Sequence, residues 1–460
     1  MTARRIVIGI DVGTTTLKAV AIDEFGAFAG TASAPNVWDV DDRGEVQVDM
    51  DAFADRAIAV LVEAARAAGD DVSVAGIGIA GLAETGVVVS PEGRAITAAM
   101  AWYDQRGAAE LASLPAAFRE EFSAVTGLAA KAECSFAKLL WLRANGLDDL
   151  RGSTWLNALE YIAYRLTGAM GSEPSLASRT GLLDQASITP WVGALERIGA
   201  DTTFIPALIH AGSPIGHVTD APAELRGAAV TVAGHDHLVN SVGAGAIGGD
   251  DLFDSCGTAD VILRAVPRIL TNNERANLVA RGLSAGRHVL PGSTAILGAT
   301  RSGLVLGRLL SMLGASTRED RQRIADGWQP GQRAGNVEVS EPPAWANEVT
   351  IRLRDDCSPA ELWAAGMQYV LDQTTGLLDA IADIAGPYEH AVAAGGWAHV
   401  TGVFRGKASI MPGLTLSDVM HAGAFGAAQF AGRAASLDLG PATLRLPTTD
   451  GTTQAKELVS

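Results

Sequence analysis

Residues 6–23 (IVIGIDVGTTTLKAVAID) restrict what this chain can become more than any other stretch. They read as an apolar strand over 6–10, a short polar loop, and a second apolar strand over 19–22. The loop holds a carboxylate, a glycine and hydroxyls in Asp11, Gly13, Thr14, Thr15 and Thr16. Gly13 reaches backbone angles closed to other residues, which lets amides turn towards a bound anion. The threonines add donors, and Asp11 suits a hard cation such as Mg²⁺. A Walker loop is excluded, because Gly-Lys-Thr is missing and the loop runs into a strand, not a helix. On these residues alone, a metal–phosphate hairpin and a plain threonine-rich turn are equally good readings.

A second stretch adds weight to the first. Residues 251–263 (DLFDSCGTADVIL) again read as strand, polar loop, strand, and Asp254-Ser-Cys-Gly257-Thr258 echoes Asp11-Val-Gly13-Thr14. The echo suggests an internal duplication, with two lobes each giving a phosphate hairpin to one cleft. Chance likeness of two tight turns is the other reading, since the echo covers only a few residues.

A chain of 460 residues is too long for one core. Length suggests about three domains, and large α/β lobes make two equally admissible. The net charge of −17 argues against a nucleic-acid backbone or an anionic membrane as partner. It leaves ATP open, whose charge is met locally by Mg²⁺, amides and a few cations. Cys134, Cys256 and Cys357 lie far apart and form no zinc pattern and no disulfide framework, which fits a reduced cytosol. The N-terminal residues run straight into the first strand without a cleavable signal, and no stretch resembles an uninterrupted membrane span. A cytoplasmic protein is expected.

Along the chain, residues 28–32 are predicted as a third strand. Residues 51–68 have apolar positions at helical spacing and Gly69 as a stop. Strands are predicted over 74–80 and from residue 87, with a turn at 90–93. Helices are predicted over 134–144, 155–166 and 361–378, loops around a site over 168–190, and a strand over 225–233 leading into Gly234-His-Asp236-His237. Residues 240–249 look small and flexible. Residues 390–394 read as a strand opening through Gly395-Gly396 towards a helix. Residues 422–431 read as a small-residue helix that either packs closely or leaves room for a flat ligand. Residues 434–460 look loosely structured. Strands mixed with helices make the class α/β.

Asp11 to Lys18, Gly257-Thr258 and Gly395-Gly396, in this order and spacing, resemble the FGGY carbohydrate kinases, relatives of actin, Hsp70 and hexokinase. Trp102-Tyr-Asp104-Gln-Arg106 looks like that family's Trp-x-Asp-x-Arg sugar segment. Ser135-Phe-Ala-Lys138-Leu-Leu-Trp141 is similar to the core of its first signature. Residues 173–184 resemble its Asp-x-Ser-x-Ala-Ser-Arg-Thr stretch, and Gly234-His-Asp236 the segment with its catalytic aspartate. The match reaches to about residue 432. Departures fall elsewhere. Residues 81–86 (GLAETG) look closer to the Arg-Glu-Thr version of glycerol kinases, with Ala83 in the arginine place. His237 stands where polyol kinases have Gln. Gly395-Gly396-Trp397 replaces a three-glycine run, and the second signature is poorly matched near 358–380.

The resemblance implies a two-lobed actin-like ATPase fold, a duplicated ribonuclease H-like architecture with its site in the interlobe cleft. It implies domains over 1–246 and 247–460, ATP and Mg²⁺, and a homodimer. Asp236 would be the catalytic base, with its place as a buried partner of His235 or His237 as the alternative from sequence alone. Asp11 and Asp236 would serve the metal. Gly13, Thr14, Thr15, Thr16, Lys18, Gly257, Thr258, Gly298, Arg301, Gly395 and Gly396 would hold the nucleotide. Lys18 reads equally well as a solvated side chain. Glu84, Trp102, Asp104, Arg106, Asp236 and His237 would hold the sugar, although Asp104 and Arg106 read equally as an ion pair. Glu173, Ser178 and Arg179 would support their loop. The expected substrate is a ketose such as xylulose, then a polyol such as glycerol or erythritol, then gluconate. A nucleotide-gated binding protein of the actin or Hsp70 kind is the non-enzymatic alternative, and it needs neither Asp236 nor the 102–106 segment.

Overall fold

The computed structural model describes residues 3–219, 222–315, 317–340 and 348–444. Two six-stranded sheets frame it. The first contains β1 (Arg4–Val12), β2 (Thr16–Asp23), β3 (Phe28–Pro35), β4 (Val72–Gly81), β5 (Gly216–His217) and β6 (Ala229–His235), in the order β5-β6-β4-β1-β2-β3. The second contains β7 (Asp251–Cys256), β8 (Asp260–Val266), β9 (Ser284–Arg287), β10 (Thr294–Thr300), β11 (His390–Ala394) and β12 (Leu414–Leu416), in the order β9-β10-β8-β7-β11-β12.

The two sheets repeat one plan. β1, β2 and β3 are antiparallel neighbours, β4 pairs with β1 in parallel, and β6 pairs with β4 in parallel. In the second sheet β7, β8 and β10 are antiparallel neighbours, β11 is parallel to β7, and β12 is parallel to β11. The echo between the two hairpins therefore extends to whole sheets. Only the edges differ, where β5 flanks β6 and β9 flanks β10.

Ten helices matter for the site: α1 (Met50–Ala67), α2 (Ser135–Ala144), α3 (Ala158–Thr167), α4 (Pro174–Arg179), α5 (Asp236–Gly243), α6 (Asn272–Ala280), α7 (Ser302–Met312), α8 (Pro359–Ala385), α9 (Thr401–Ile410) and α10 (Ala422–Ala434). β1 shows why its apolar run is unbroken. Ile6, Ile8 and Ile10 pack with Phe53, Ala57 and Leu61 of α1, while Val7 packs with Ala424 and Ala428 of α10. Side chains alternate across a strand, so covering both faces demands an apolar residue at almost every position. The close approach of α10 uses glycine on the strands. A Cβ on Gly9 would lie 2.0 Å from the Ala424 carbonyl oxygen, and one on Gly78 would lie 1.9 Å from that of Ala427. The small-residue helix thus packs closely, and does so on the first sheet.

Several predicted boundaries move. The predicted helix over 155–166 begins as strand, Thr154–Asn157, paired with Gly86–Val89. Asn157 then starts α3, its side chain accepting from Leu159 N–H at 2.9 Å while Glu160 accepts from Asn157 N–H at 2.8 Å. The predicted loop over 168–190 contains α4, which Glu173 caps and Pro174 opens. The predicted flexible stretch from 240 begins inside α5. The strand predicted over 225–233 begins later, at Ala229. The predicted loose tail starts within α10, and residues 445–460 lie outside the described residues. Among the described residues, no helix is long and apolar enough to cross a membrane.

The halves also touch through β9 and α6. Ala285 N–H of β9 donates to Gly127 O at 2.9 Å, and Arg275 of α6 donates to Ala124 O at 2.8 Å. Arg287 N–H donates to Ser178 Oγ at 2.9 Å.

Candidate active site

The parallel strands β1, β4 and β6 end on one edge of the first sheet, with Asp11 paired to Ala80 and Gly81 paired to His235. The carboxyl edge of parallel strands is where ligands of α/β sheets bind. Asp11 stands at the end of β1, Glu84 just after β4, and Asp236 just after β6. Each carboxylate feels another's charge: Asp236 raises both Asp11 and Glu84.

Asp236 opens α5, where the helix dipole favours a negative group. His237 N–H donates to its Oδ1 at 2.6 Å, His235 Nε2 lies 3.2 Å away and His237 Nε2 3.9 Å away. Burial alone would raise its pKa. The two histidines, the amide and Arg179 outweigh that and hold it below the usual carboxylate value. His235 is buried and its pKa is pushed down to about 3, mainly by burial, so it is neutral at pH 7. The Nδ1 of His235 is buried and has no hydrogen-bond partner. Asp11 moves the other way. Burial, then Asp236, push its pKa up to about 7, with Lys18 opposing. Its Oδ1 is buried and has no hydrogen-bond partner. Of the three carboxyl groups on this edge, Asp11 and Glu84 are raised and Asp236 is lowered, so Asp236 is ionised first.

The first turn is braced by side chains that sequence reasoning missed. Asn36 donates to Gly13 O at 2.9 Å and Trp38 donates to Thr14 O at 2.7 Å. Trp102, about one-third exposed at 36%, donates to Thr14 Oγ1 at 3.0 Å, so the 102–106 segment touches the Gly13-to-Thr16 turn directly. Lys18 is exposed opposite Asp11 on β2, and its charge reaches both Asp11 and His421.

Asp104 and Arg106 do not face an open site. Asp104 is buried; one oxygen accepts from Arg106 N–H and Nε at 2.9 Å, the other from Val46 N–H at 2.6 Å and Arg106 Nη2 at 3.0 Å. Arg106 also stacks over Trp141 at 5.2 Å. The pair consumes its own hydrogen-bonding capacity and fixes the segment, which corrects the sugar-contact reading. Behind it, Lys138 of α2 donates to Asp104 O at 2.5 Å and to Ala132 O.

Glu84 is 8% exposed and sits in the left-handed region, φ 61°. Non-glycine residues stay there only when their surroundings hold them. Arg179 of α4 bonds its carboxylate at 2.6 Å, and Ser135 Oγ bonds its carbonyl at 2.7 Å. Arg179 also donates to Ser284 Oγ of β9 at 3.0 Å. Arg179 therefore belongs to the carboxylate edge and links the two sheets. Its distance in sequence from Glu84 hid that role. Glu173 stays inside, accepting from Ser175 and Leu176 N–H.

On the second sheet β7 and β11 end together. The Gly257-Thr258 turn follows β7, and Gly395-Gly396 follows β11. Thr258 O accepts from Leu304 N–H of α7 at 3.1 Å, which brings Arg301, just before α7, beside the turn. Gly395 has φ 100°, and a Cβ there would lie 2.5 Å from Cys256 O, so only glycine fits. Around Gly396 a Cβ would meet open space. Gly298 does not line this edge, contrary to expectation: a Cβ there would press on Leu377 of α8 and Leu283.

The family model for the N-terminal domain of the FGGY family of carbohydrate kinases matches residues 6–243. The chain belongs to the FGGY family. L-Fuculokinase of Escherichia coli K12 is 25% identical over 273 residues, covering 56% of this chain and 56% of that protein. The match thus spans about half the length of that relative. Xylulose kinase from Rhodospirillum rubrum superposes with a TM-score of 0.81 at 23% identity, over 96% of this chain and 93% of its own. Plasmodium falciparum glycerol kinase, solved with ADP, superposes with a TM-score of 0.82 at 16% identity, over 93% and 89%. The FGGY fold is therefore present throughout both sheets, in its two-lobed, actin-like form.

Proposed function

We propose that this chain is an ATP-dependent kinase that phosphorylates a hydroxyl of a small carbohydrate. The observation that carries the reading is Asp236: an ionised carboxylate at a helix start, 3.2 Å from a neutral His235, beside a second carboxyl whose oxygen lacks a partner. Phosphoryl transfer asks for positioning and charge stabilisation. Asp236 would take the proton of the attacking hydroxyl, since that proton becomes acidic only as the new bond forms. The unpartnered Oδ1 of Asp11 fits a hard cation, so Asp11 with Asp236 would hold Mg²⁺, partly through water. Mg²⁺ supplies neutralisation of phosphate charge.

The turn at Gly13, Thr14, Thr15 and Thr16, with Lys18, would face the transferring phosphoryl group. Gly257 and Thr258 would face the β- and γ-phosphates, and Arg301, Gly395 and Gly396 the rest of the nucleotide. The nucleotide would span lobes divided as 1–246 and 247–460, apart from α10, which packs on the first sheet. Glu84, Trp102 and His237 would bind the acceptor, with Arg179 orienting Glu84. Xylulose or another ketose is the preferred acceptor because Trp102 stands on the phosphate turn; a polyol of the glycerol or erythritol type follows, because Glu84 sits at the edge.

A coupled assay of ADP release over ketoses, aldoses, polyols and aldonates tests the proposal. One acceptor is expected to raise ATP consumption far above background hydrolysis. ATP binding without stimulation by any acceptor would instead favour a nucleotide-gated binding protein.

A further inference from the structure

Lys407 of α9 is 2% exposed, and its ammonium lies between two buried carboxylates. Asp254 Oδ2 of β7 is 3.1 Å away, and Asp260 Oδ2 of β8 bonds it directly. The two aspartates flank the Gly257-Thr258 turn, since β7 ends at Cys256 and β8 begins at Asp260. α9 follows the Gly395-Gly396 turn, whose next residue, Trp397, donates its N–H to Cys256 O at 3.1 Å. Oxygens of Asp254 and Asp260 and the sulfur of Cys256 lie within 4.8 Å of one another, the spacing of a cation site. The ammonium of Lys407 stands as the cation there.

We propose that Lys407 is a positioning residue for nucleotide binding, an internal cation that ties both flanks of the Gly257-Thr258 turn to the helix behind Gly395-Gly396. The inference rests on the nucleotide reading above. One ammonium bonded to both flanks fixes the separation of the turn's two strands, while its helix fixes the glycine pair against the end of β7. The two turns are then set in one register before nucleotide arrives, which reduces the ordering cost of binding. Charge supports this arrangement. Burial, then Asp260, push the Asp254 carboxyl up to about 8, with Lys407 opposing. Asp260 stays ionised: burial opposes this, and Lys407 outweighs it. The Cys256 thiol is raised by burial and stays neutral. At pH 7 the cluster is therefore close to neutral behind a turn that faces phosphates. Loss of the Asp254 proton leaves one net negative charge there.

The test is calorimetric titration of the full chain with Mg·ADP between pH 7 and pH 9. Lys407→Met leaves two buried acids unpaired and risks misfolding, so it is accompanied by Lys407→Met/Asp254→Asn/Asp260→Asn, which removes all three charges together. The triple variant is expected to melt cooperatively and to bind Mg·ADP at least about tenfold more weakly, the scale of a lost charged hydrogen bond. Wild-type affinity is expected to fall as pH rises across this range, and Asp254→Asn to flatten that fall. If wild type binds but the triple variant matches it and the pH profile is unchanged in Asp254→Asn, the cluster is ordinary packing and this inference is overturned, while the kinase reading stands. If wild type does not bind Mg·ADP, the nucleotide reading fails and takes this inference with it.

Discussion

The indole N–H of Trp102 donates to the hydroxyl of Thr14 across 3.0 Å. The 102–106 segment and the Gly13-to-Thr16 turn are therefore one unit. Trp102→Phe keeps an aromatic face and removes the bond. A net hydrogen bond contributes about 0.5–1.5 kcal/mol. The expected outcome is a loss of roughly 3–10-fold in kcat/KM, read by steady-state kinetics with the acceptor found in the screen.

Asp236→Asn keeps an acceptor for His237 N–H and removes the base. Turnover is expected to fall by about 10²–10⁴, with the melting temperature little changed. The carboxylate is held below its usual pKa by its two histidines, its amide and Arg179, against burial. At saturating Mg²⁺, which keeps Asp11 ionised, the limb of the profile that Asp236→Asn abolishes is therefore expected below the ordinary carboxylate range. Wild-type turnover in the variant would remove Asp236 from the chemistry.

Asp11 makes a prediction with the opposite sign. Its folded-state pKa is raised to about 7, above the 3.8 of the unfolded chain. The unfolded chain loses this proton first, so the site's contribution to stability is complete below pH 3.8 and declines as pH rises towards 7. Without Mg²⁺, Asp11→Asn is expected to melt several degrees above wild type at pH 8 and to converge with it at acid pH. The same variant is expected to lose turnover. Differential scanning calorimetry in chelator, at both pH values, decides it.

Gly78→Ala places a methyl 1.9 Å from the Ala427 carbonyl oxygen, a backbone atom that cannot rotate away. Overpacking of this kind costs about 1–3 kcal/mol and more where backbone must shift. Chemical denaturation is expected to show that loss, and Gly335→Ala is the control for glycine replacement by itself, because its Cβ would meet nothing within 4 Å and its φ is not positive.

The hairpins were legible because their signal is local: an apolar run, a polar turn and a second run within a few residues of each other. The likeness of Asp254-to-Thr258 to Asp11-to-Thr14 pointed correctly to two sheets of one plan. What sequence could not show depends on pairings over long separations. Arg179 finds Glu84 from 95 residues away, and Trp38 reaches Thr14 from the loop after β3. Asp104 turned inward because Val46 N–H, 58 residues earlier, meets its second oxygen. Gly298 looked like room for a ligand, yet its space is filled by Leu377 from a helix far along the chain. The small residues after 240 mimicked flexibility, while in α5 they admit a neighbouring helix: a Cβ on Gly243 would lie 1.9 Å from Ala422 O.

α10 covers Gly9 and Gly78 yet begins at Ala422, near the far end of the described chain. A ribosome adding about 5–20 residues per second leaves the interval between them on the order of tens of seconds. Once β6 is made, the first sheet is complete in sequence while the helix that covers Gly9 and Gly78 is still to come. A chain truncated before residue 422 is therefore expected to aggregate, which a solubility assay of that truncation against the full chain checks.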